Sequence, residues 1–352
     1  MTTYRDAGVD IDAQDQALAQ IKKMVRNTYS SDVLSDQGAF GGLFRVPIKG
    51  LKEPVLVASA DGVGTKLKIA FLSGRHTTVG RDLVHHCIND ILVQGARPLF
   101  FLDYLATGRL DPDTVADVIG GVAAACSDHN IALLGGETAE MPGFYSDGEY
   151  DLAGFIVGLV DRKRILDGSA VMEGDVLVGL PASGLHTNGY SLARKVFFEQ
   201  LDLDSDTVVQ ELGRSVAEEL LAVHRCYLEP VWPLLEEQWV HSIAHITGGG
   251  LTDNLPRVMS DGLKSVIKVG AWEIPPVFSF LREKGEVPED DMWRTFNLGV
   301  GMVLVVPPRK LEQVLRVLRE QGCPGFPMGN VVKGESGVEY DHPPEGFPTG
   351  LR

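Results

Sequence analysis

The segment from Asp61 to Lys66 brings together residue types that bind metal ions and phosphate groups. Its sequence is DGVGTK, and it follows the apolar run Val55–Ala60, which predicts a buried strand. A glycine loop between a strand and a helix exposes backbone N–H groups that bind phosphate, and the carboxylate of Asp61 is a ligand that Mg²⁺ prefers. The glycine spacing is not that of a Walker A loop. The alternative is a tight turn in which Asp61 caps the backbone and Lys66 is solvated.

Further acidic residues occupy comparable positions. The loop GGETAE, Gly135 to Glu140, follows the apolar run Ile131–Leu134 at a strand end, where α/β proteins place their ligands. Asn89 and Asp90 begin the stretch NDILVQGARP, and Asp103 lies inside FFLDYLA. A carboxylate among apolar residues needs a partner, which is either a bound ligand or a set of backbone N–H groups.

A zinc site at His85, His86 and Cys87 is not expected. Adjacent residues on a helix point about 100 degrees apart, and they do not readily close on one ion.

Two polar glycine loops mark the second half of the chain. SGLHTNGYS surrounds His186 with donors and acceptors suited to a polar ligand, although ordinary loop hydrogen bonding would need the same residue types. HITGGG resembles a phosphate-binding loop at the start of a helix predicted at Leu251–Arg257, and a flexible turn is its alternative. Asn297 precedes the strand LGVGMVLVV, where it supplies polar groups or simply caps the strand.

Strand and helix patterns alternate along the chain, which predicts an α/β fold. We place a domain boundary just after the charged Asp161–Arg164, giving domains 1–168 and 169–352, with a polar surface tail from about Gly334. Lys22 lies on the polar side of the first predicted helix, from which it could reach a site. The predicted helices are Ala17–Val25, Val79–Gln94, Pro112–His129, Leu192–Glu199, Val216–Leu235 and Leu311–Gln321. The predicted strands are Val55–Ala60, Leu99–Leu105, Ile131–Leu134, Leu152–Val160, Asp175–Leu180 and Val300–Val306.

The composition argues against several classes of partner. With 32 basic and 48 acidic residues, the formal charge of −16 opposes non-specific binding to nucleic acid or an anionic membrane. The four cysteines are scattered without CxxC pairs, the polar start lacks the features of a signal peptide, and no apolar run approaches the roughly 18 residues of a membrane span. We therefore expect a cytoplasmic protein.

Six strings together resemble the phosphoribosylformylglycinamidine cyclo-ligase family, also called aminoimidazole ribonucleotide synthetase. They are DGVGTK, NDILVQGARPLFFLDY, GGETAEMPG, SGLHTNGYS, HITGGG and RTFNLGVGM, and the resemblance runs from Tyr4 to about Val332. It implies an enzyme of purine biosynthesis that uses ATP and Mg²⁺ to convert formylglycinamidine ribonucleotide into 5-aminoimidazole ribonucleotide, releasing ADP and phosphate. The formyl oxygen is phosphorylated and then displaced by an intramolecular nitrogen. The implied fold is an N-terminal domain whose sheet forms a barrel across a homodimer, followed by a C-terminal α/β domain.

The resemblance also implies roles for individual residues. The implied catalytic residues are Asp61, Asp90, His186 and Lys22. For His186 three roles stay open: an acid, a base or a residue that only binds the substrate. Metal binding falls on Asp61, Asp90 and Glu137. Nucleotide binding falls on these three acids with Gly62, Gly64, Thr65, Lys66, Asn89 and Asp103. Substrate binding falls on Ser183, His186, Asn188, Thr247, Gly248, Gly249, Gly250 and Asn297.

Two rival functions share part of this pattern. Another kinase or synthetase of the same superfamily, such as thiamine monophosphate kinase or selenophosphate synthetase, would share the DGVGTK-type and acidic features but not SGLHTNGYS and RTFNLGVGM. The reactive N-terminal Cys or Sec of selenophosphate synthetase has no counterpart before Cys87. A non-catalytic nucleotide-binding oligomer would keep the glycine loops without turnover.

Overall fold

The computed structural model describes residues 11–35 and 40–341, and the chain forms two compact units. One comprises Met1–Ile91 with Ala96–Lys163, and the other comprises Leu92–Gly95 with Arg164–Arg352. Within the described residues, no helix combines the length and the apolar character needed to cross a membrane. The helices are α1 (Ile11–Asn27), α2 (Leu67–Ser73), α3 (Val79–Leu92), α4 (Pro112–Asp128), α5 (Tyr190–Arg194), α6 (Val216–Leu220), α7 (Leu228–Glu236), α8 (Gly250–Asn254), α9 (Pro276–Lys284), α10 (Glu289–Thr295) and α11 (Leu311–Glu320). The strands are β1 (Pro54–Gly62), β2 (Arg97–Thr107), β3 (Ala132–Glu140), β4 (Tyr150–Asp161), β5 (Val176–Pro181), β6 (Val208–Val209), β7 (Arg214–Ser215), β8 (Ser242–His245), β9 (Leu263–Lys268), β10 (Val300–Val306), β11 (Phe326–Lys333) and β12 (Val338–Asp341).

The first unit contains a four-stranded sheet with the order β1-β4-β2-β3. Strand β4 runs antiparallel to both β1 and β2, and β2 runs parallel to β3. Strands β1, β2 and β3 therefore point the same way, and their carboxyl ends lie at one edge of the sheet.

The two faces of this sheet differ in their surroundings. On one face, a Cβ added to Gly154 of β4 would meet Phe101 of β2 and Leu83 of α3, so this helix packs closely on the strands. The opposite face exposes Leu56 and Phe155, whose exposed fractions are 58% and 44%. Because side chains alternate along a strand, successive apolar residues of β1 and β4 point in turn to the face covered by α3 and to the exposed face.

Helices α3 and α4 approach each other through glycine. A Cβ on Gly80 would lie 2.2 Å from the carbonyl oxygen of Val118, and one on Gly121 would lie 2.6 Å from that of Thr77. Small residues at the packing face of α4 therefore allow the two helices to approach closely. Helix α4 begins at the N-cap Asp111, whose side chain accepts from the N–H of Asp113.

The second unit contains a six-stranded sheet with the order β12-β9-β11-β5-β10-β8. Strand β10 is buried along its whole length between β5 and β8, and it has the bounds predicted from its apolar run. The mixed α/β fold is thus as predicted.

Three local predictions were wrong. The single helix predicted at Val216–Leu235 is two helices, α6 and α7, and Pro230 lies in the first turn of α7, where a missing N–H is tolerated. The predicted tail after Gly334 includes β12, which pairs in parallel with β9. The predicted loop GGETAE belongs to strand β3, where it pairs with β2 as far as Glu140.

Candidate functional sites in the two units

Asp61, His86 and Asp90 form a polar cluster in the first unit. Nε2 of His86 lies 2.8 Å from Oδ2 of Asp61 and 3.7 Å from Oδ2 of Asp90. Ser59 donates from its hydroxyl to Oδ2 of Asp90 at 3.0 Å. The cluster forms because Ser59 and Asp61 are two residues apart on one face of β1, while His86 and Asp90 are four residues apart on one face of α3.

The negative charges of this cluster act on His86. Burial alone would lower the pKa of its imidazole, but the hydrogen bond to Asp61 and the charges of Asp90 and Asp61 raise the pKa above its ordinary value. The carboxylate of Asp61 remains partly exposed and also accepts from the N–H of Gly62 at 2.7 Å. The carboxylates of Asp61 and Asp90 both lie near Nε2 of His86, and that of Asp61 is partly exposed. Two such carboxylates are an oxygen donor set that fits Mg²⁺ bound to a nucleotide.

The glycine loop after β1 continues as a 3-10 turn from Gly64 to Lys66. Gly64 has a φ of 64°, in the region that favours glycine, and Gly64 and Thr65 are exposed. Gly62 is half-buried beside Asp61. These residues are accessible to a ligand at the carboxyl end of β1.

Lys66 departs from the expectation for this loop. Its ammonium lies 2.8 Å from Oδ2 of Asp82 on α3, and both side chains are fully buried. Burial lowers the pKa of Lys66, and the charge of Asp82 offsets part of that effect. Lys66 thus points into the protein and pairs with Asp82, so the structure does not place its charge where a bound phosphate would meet the exposed loop.

Glu137 is not brought together with Asp61 and Asp90 in one chain. Strand β3 is separated from β1 by two other strands, which places the two acids roughly 14 Å apart by the usual strand spacing. Glu137 also pairs with Tyr104, so it lies on the face opposite to Asp103 and Gly136. Ligation of a single ion by all three acids of one chain does not fit this geometry.

The remaining predicted nucleotide residues differ in accessibility. Asn89 is fully buried beside Asp90 on α3, and Asp103 is 8% exposed on β2. Burial raises the pKa of Asp103 to about 7, and a backbone hydrogen bond offsets part of this shift. Lys22 lies on the exposed side of α1, which packs on α4. The roles of these three residues stay predictions.

His186 is the centre of a polar cluster in the second unit. Its Nε2 accepts from the backbone N–H of Ser183 at 3.1 Å, and its ring stacks on His224 with the centroids 4.0 Å apart. His224 continues the cluster, because its Nδ1 lies 3.4 Å from the hydroxyl of Thr187 and its Nε2 lies 3.2 Å from Nε2 of His245. The three histidines are all buried.

The loop around His186 is held from two sides. The hydroxyl of Ser183 donates to the carbonyl of Val223 at 2.6 Å, so this hydroxyl is occupied within the protein. Asn297 donates to the carbonyl of Gly184 at 2.9 Å and accepts from the N–H of Gly299 at 2.8 Å. Ser183 and Asn297 therefore hold the loop in place.

The glycine loop after β8 differs from a phosphate-binding loop. The N–H of Gly249 donates to the carbonyl of Arg294, and that of Gly250 donates to the carbonyl of Thr247. A Cβ on Gly250 would lie 2.2 Å from the carbonyl oxygen of Trp293, so close packing explains this glycine. Two of the N–H groups expected to face a ligand are therefore already bonded within the protein.

Asn188 and Gly248 remain open to a ligand. Gly248 is exposed, and a Cβ on it would lie 3.4 Å from Oδ1 of Asn188. Nδ2 of Asn188 is buried and has no hydrogen-bond partner among the described residues. A buried donor without a partner is costly, and a bound ligand would satisfy it. Thr247 is half-buried next to these residues and donates to Asn254.

Three residues of these clusters were not identified from the sequence. The i,i+4 spacing of His86 and Asp90 on one predicted helix was a usable signal, but we weighed His86 only as a zinc ligand. His224 lies in a segment predicted to be helical, and His245 is part of the HITGGG string. His224 and His245 come close to His186 only through contacts between segments that are distant in sequence.

Comparison with known proteins places the chain among purine-biosynthetic relatives. Models of AIR synthase related proteins match it twice, the N-terminal domain at residues 46–160 and the C-terminal domain at 172–342. A protein of Citrifermentans bemidjiense named phosphoribosylformylglycinamidine cyclo-ligase is 52% identical over 337 residues, covering 96% of this chain and 97% of that protein. One of the same name from Alkaliphilus oremlandii is 49% identical over 336 residues, covering 96% and 98%.

Solved structures share the fold at low sequence identity. Thiamine-monophosphate kinase from Stenotrophomonas maltophilia K279a superimposes with a TM-score of 0.70 at 19% identity, covering 94% of this chain and 96% of that one. The hydrogenase maturation protein HypE in complex with ATP gives a TM-score of 0.62 at 18% identity, covering 95% and 92%. At such identities the likeness concerns the fold alone.

Proposed function

The chain belongs to the phosphoribosylformylglycinamidine cyclo-ligase family of AIR synthase related proteins, and from this premise we propose how its residues close an imidazole ring. The enzyme converts formylglycinamidine ribonucleotide and ATP into 5-aminoimidazole ribonucleotide, ADP and phosphate, a step of purine biosynthesis. The observation that carries the site assignment is the cluster of Asp61, His86 and Asp90 at the carboxyl end of β1. All four cysteines of the chain lie among the described residues and form no disulfide there, in keeping with a reducing cytoplasm.

The first unit binds MgATP through this cluster. Asp61 and Asp90 would hold the Mg²⁺, and the exposed Gly64 and Thr65 would contact the phosphates. The chemistry supplied by the bound ion would be neutralisation of charge on the triphosphate. His86 donates to Asp61, which fixes the orientation of that carboxylate as outer ligands commonly do. The family resemblance adds Lys22 of α1 as a further contact to the phosphates.

The second unit supplies substrate contacts through Asn188, Thr247 and Gly248. Nδ2 of Asn188, which has no hydrogen-bond partner in the part of the chain that the structure describes, supports this assignment. The formyl oxygen takes the phosphoryl group, and an amidine-derived nitrogen then attacks the same carbon and displaces phosphate. Since the substrate contains both reacting groups, positioning supplies much of the rate enhancement.

A homodimer would cover the open face of the first sheet. Leu56 and Phe155 expose apolar area that a second copy would bury, forming the barrel expected for the family. Leu56→Asp should give a monomer in size-exclusion chromatography with light scattering. Leu72 on α2 is the matched control, because its exposed fraction is 59% and Leu72→Asp should leave the dimer intact. A dimeric Leu56→Asp protein would contradict this interface.

The reaction is tested by tracing the formyl oxygen. With ¹⁸O in the formyl group, ring closure should place the label in the released phosphate, and the product should lose the elements of water. A kinase of the same superfamily would instead yield a stable phosphorylated product. A non-catalytic nucleotide-binding protein would release no substrate-dependent phosphate.

The metal cluster is tested by Asp90→Asn. Loss of this charged ligand should lower turnover by about 100-fold or more while the fold remains intact. Asp147→Asn is the control, since it removes an exposed carboxylate of the same unit. Near-normal turnover in Asp90→Asn would exclude Asp90 as a metal ligand.

A further inference from the structure

The backbone N–H of Ser183 determines which nitrogen of the His186 ring carries a proton. This N–H donates to Nε2 of His186 at 3.1 Å, and a nitrogen that accepts a hydrogen bond presents a lone pair. In the neutral ring the hydrogen must therefore be on Nδ1. To become an imidazolium, the ring would have to give up the bond from Ser183.

The ring is also fixed by contacts on its two sides. His224 stacks on it with an interplanar angle of 23°. A Cβ on Gly301 of β10 would lie 2.4 Å from Cε1 of His186, so the strand backbone abuts the ring edge. Rotation that would exchange Nδ1 and Nε2 is opposed by both contacts, and only 1% of His186 is exposed.

The backbone at His186 is constrained as well. Its φ of 61° lies in the left-handed region, which is strained for a residue other than glycine. The bond from Ser183 and the stack on His224 together hold the residue in this conformation. His186 thus ties the start of the loop to the sheet, two residues before Asn188.

A second charge next to the ring is unfavourable. The ring of His224 stacks on His186, and the ring centroid of Tyr227 lies 6.3 Å from that of His186. Two stacked imidazolium rings in a buried site would repel each other, and both would lose hydration. The stack therefore disfavours simultaneous protonation of His186 and His224.

We propose that His186 is a positioning residue whose ring is held as the neutral Nδ1–H tautomer. His186 orients the loop so that Asn188 contacts the substrate, and it transfers no proton in the reaction. This rests on the proposed ring-closing function. It assigns the donor role to Asn188, whose Nδ2 has no partner within residues 11–35 and 40–341, and it gives His186 the role of holding the loop. The proton lost by the attacking nitrogen goes to solvent or to departing phosphate.

The tautomer is measured in the free protein, without turnover. In ¹⁵N-histidine NMR spectra, the signal removed by His186→Gln identifies His186 among the nine histidines. We expect its Nδ1 to be protonated and its Nε2 to be unprotonated. A protonated Nε2 would overturn the proposal whether or not the protein closes the ring.

Two variants separate positioning from proton transfer. Gln at position 186 retains an acceptor near the place of Nε2 but transfers no proton, so His186→Gln should keep kcat within about tenfold of wild type and leave its pH profile unchanged. Asn188→Ala should mainly raise KM for the ribonucleotide. If His186→Gln lowers kcat by about 100-fold or more in a folded protein with normal KM, His186 transfers a proton and the proposal is wrong. If wild-type protein does not form the ring, the proposed function fails instead.

Discussion

Asp103 provides a test of how strongly this interior penalises an ionised group. Burial raises its pKa to about 7 from an ordinary value near 3.8, so the folded state binds this proton more tightly than the unfolded state. Stability is then highest when Asp103 is protonated, and it falls as the pH rises from about 3.8 through about 7. Above that range the loss is complete.

The magnitude follows from proton linkage. Each unit of pKa difference is worth about 1.4 kcal/mol, so ionising Asp103 costs about 4 kcal/mol in total. About 2.5 kcal/mol of this cost arises between pH 5 and pH 8. Asp103→Asn keeps the shape of the side chain and does not titrate. Relative to this variant, the wild-type protein should therefore lose about 2.5 kcal/mol of stability between the two pH values.

The assay is urea denaturation with EDTA present, so that no bound cation stabilises the carboxylate. Circular dichroism follows the whole chain, while fluorescence follows the second unit, which contains all four tryptophans. Asp147→Asn, at an exposed site in the same unit, should differ from wild type equally at both pH values. If Asp103→Asn behaves like Asp147→Asn, Asp103 is not held in the low-polarity environment described above.

Three further substitutions test other contacts. His86→Ala should weaken Mg²⁺ binding by about 10-fold or more, because Asp61 loses the donor that orients it, and Mg²⁺ titration of activity should show no such change in the adjacent His85→Gln. Lys66→Met should lower the free energy of unfolding by about 3 to 5 kcal/mol, because Asp82 would stay buried without this cation. Adding Asp82→Asn should recover part of the lost stability. If Lys66→Met alone has wild-type stability in urea, the buried ion pair is contradicted. Gly80→Ala should destabilise the protein by about 1 to 3 kcal/mol, because its Cβ would meet Val118, whereas Gly41→Ala meets nothing within 4 Å and should be neutral in thermal denaturation.

Local patterns predicted the elements of the fold better than their contacts. The apolar run Val300–Val306 gave strand bounds that the structure matches, because a fully buried strand needs no polar alternation. The break between α6 and α7 was missed, since residues of apolar spacing continue on either side of it.

The candidate sites depend on information that a single sequence does not contain. Asp61 and Asp90 were both identified, and His86 was recognised as their partner only once β1 and α3 were placed against each other. The face on which Glu137 lies follows from its pairing with Tyr104, which local spacing leaves undetermined. Lys66 was expected to be exposed because a lysine is seldom buried, and its partner Asp82 lies in another helix.

The open face of the first sheet also has a consequence for the assembly of the proposed homodimer. Strand β1 is an edge strand that presents Leu56 to solvent, and edge strands with exposed apolar residues readily join other chains. To form the proposed homodimer, a newly folded chain would have to meet a correctly folded copy before it meets a misfolded one. The yield of native protein after dilution from denaturant then depends on two competing bimolecular reactions, dimerisation with a folded copy and association with a misfolded one. The folded state of the partner therefore matters as much as the folding of the chain itself.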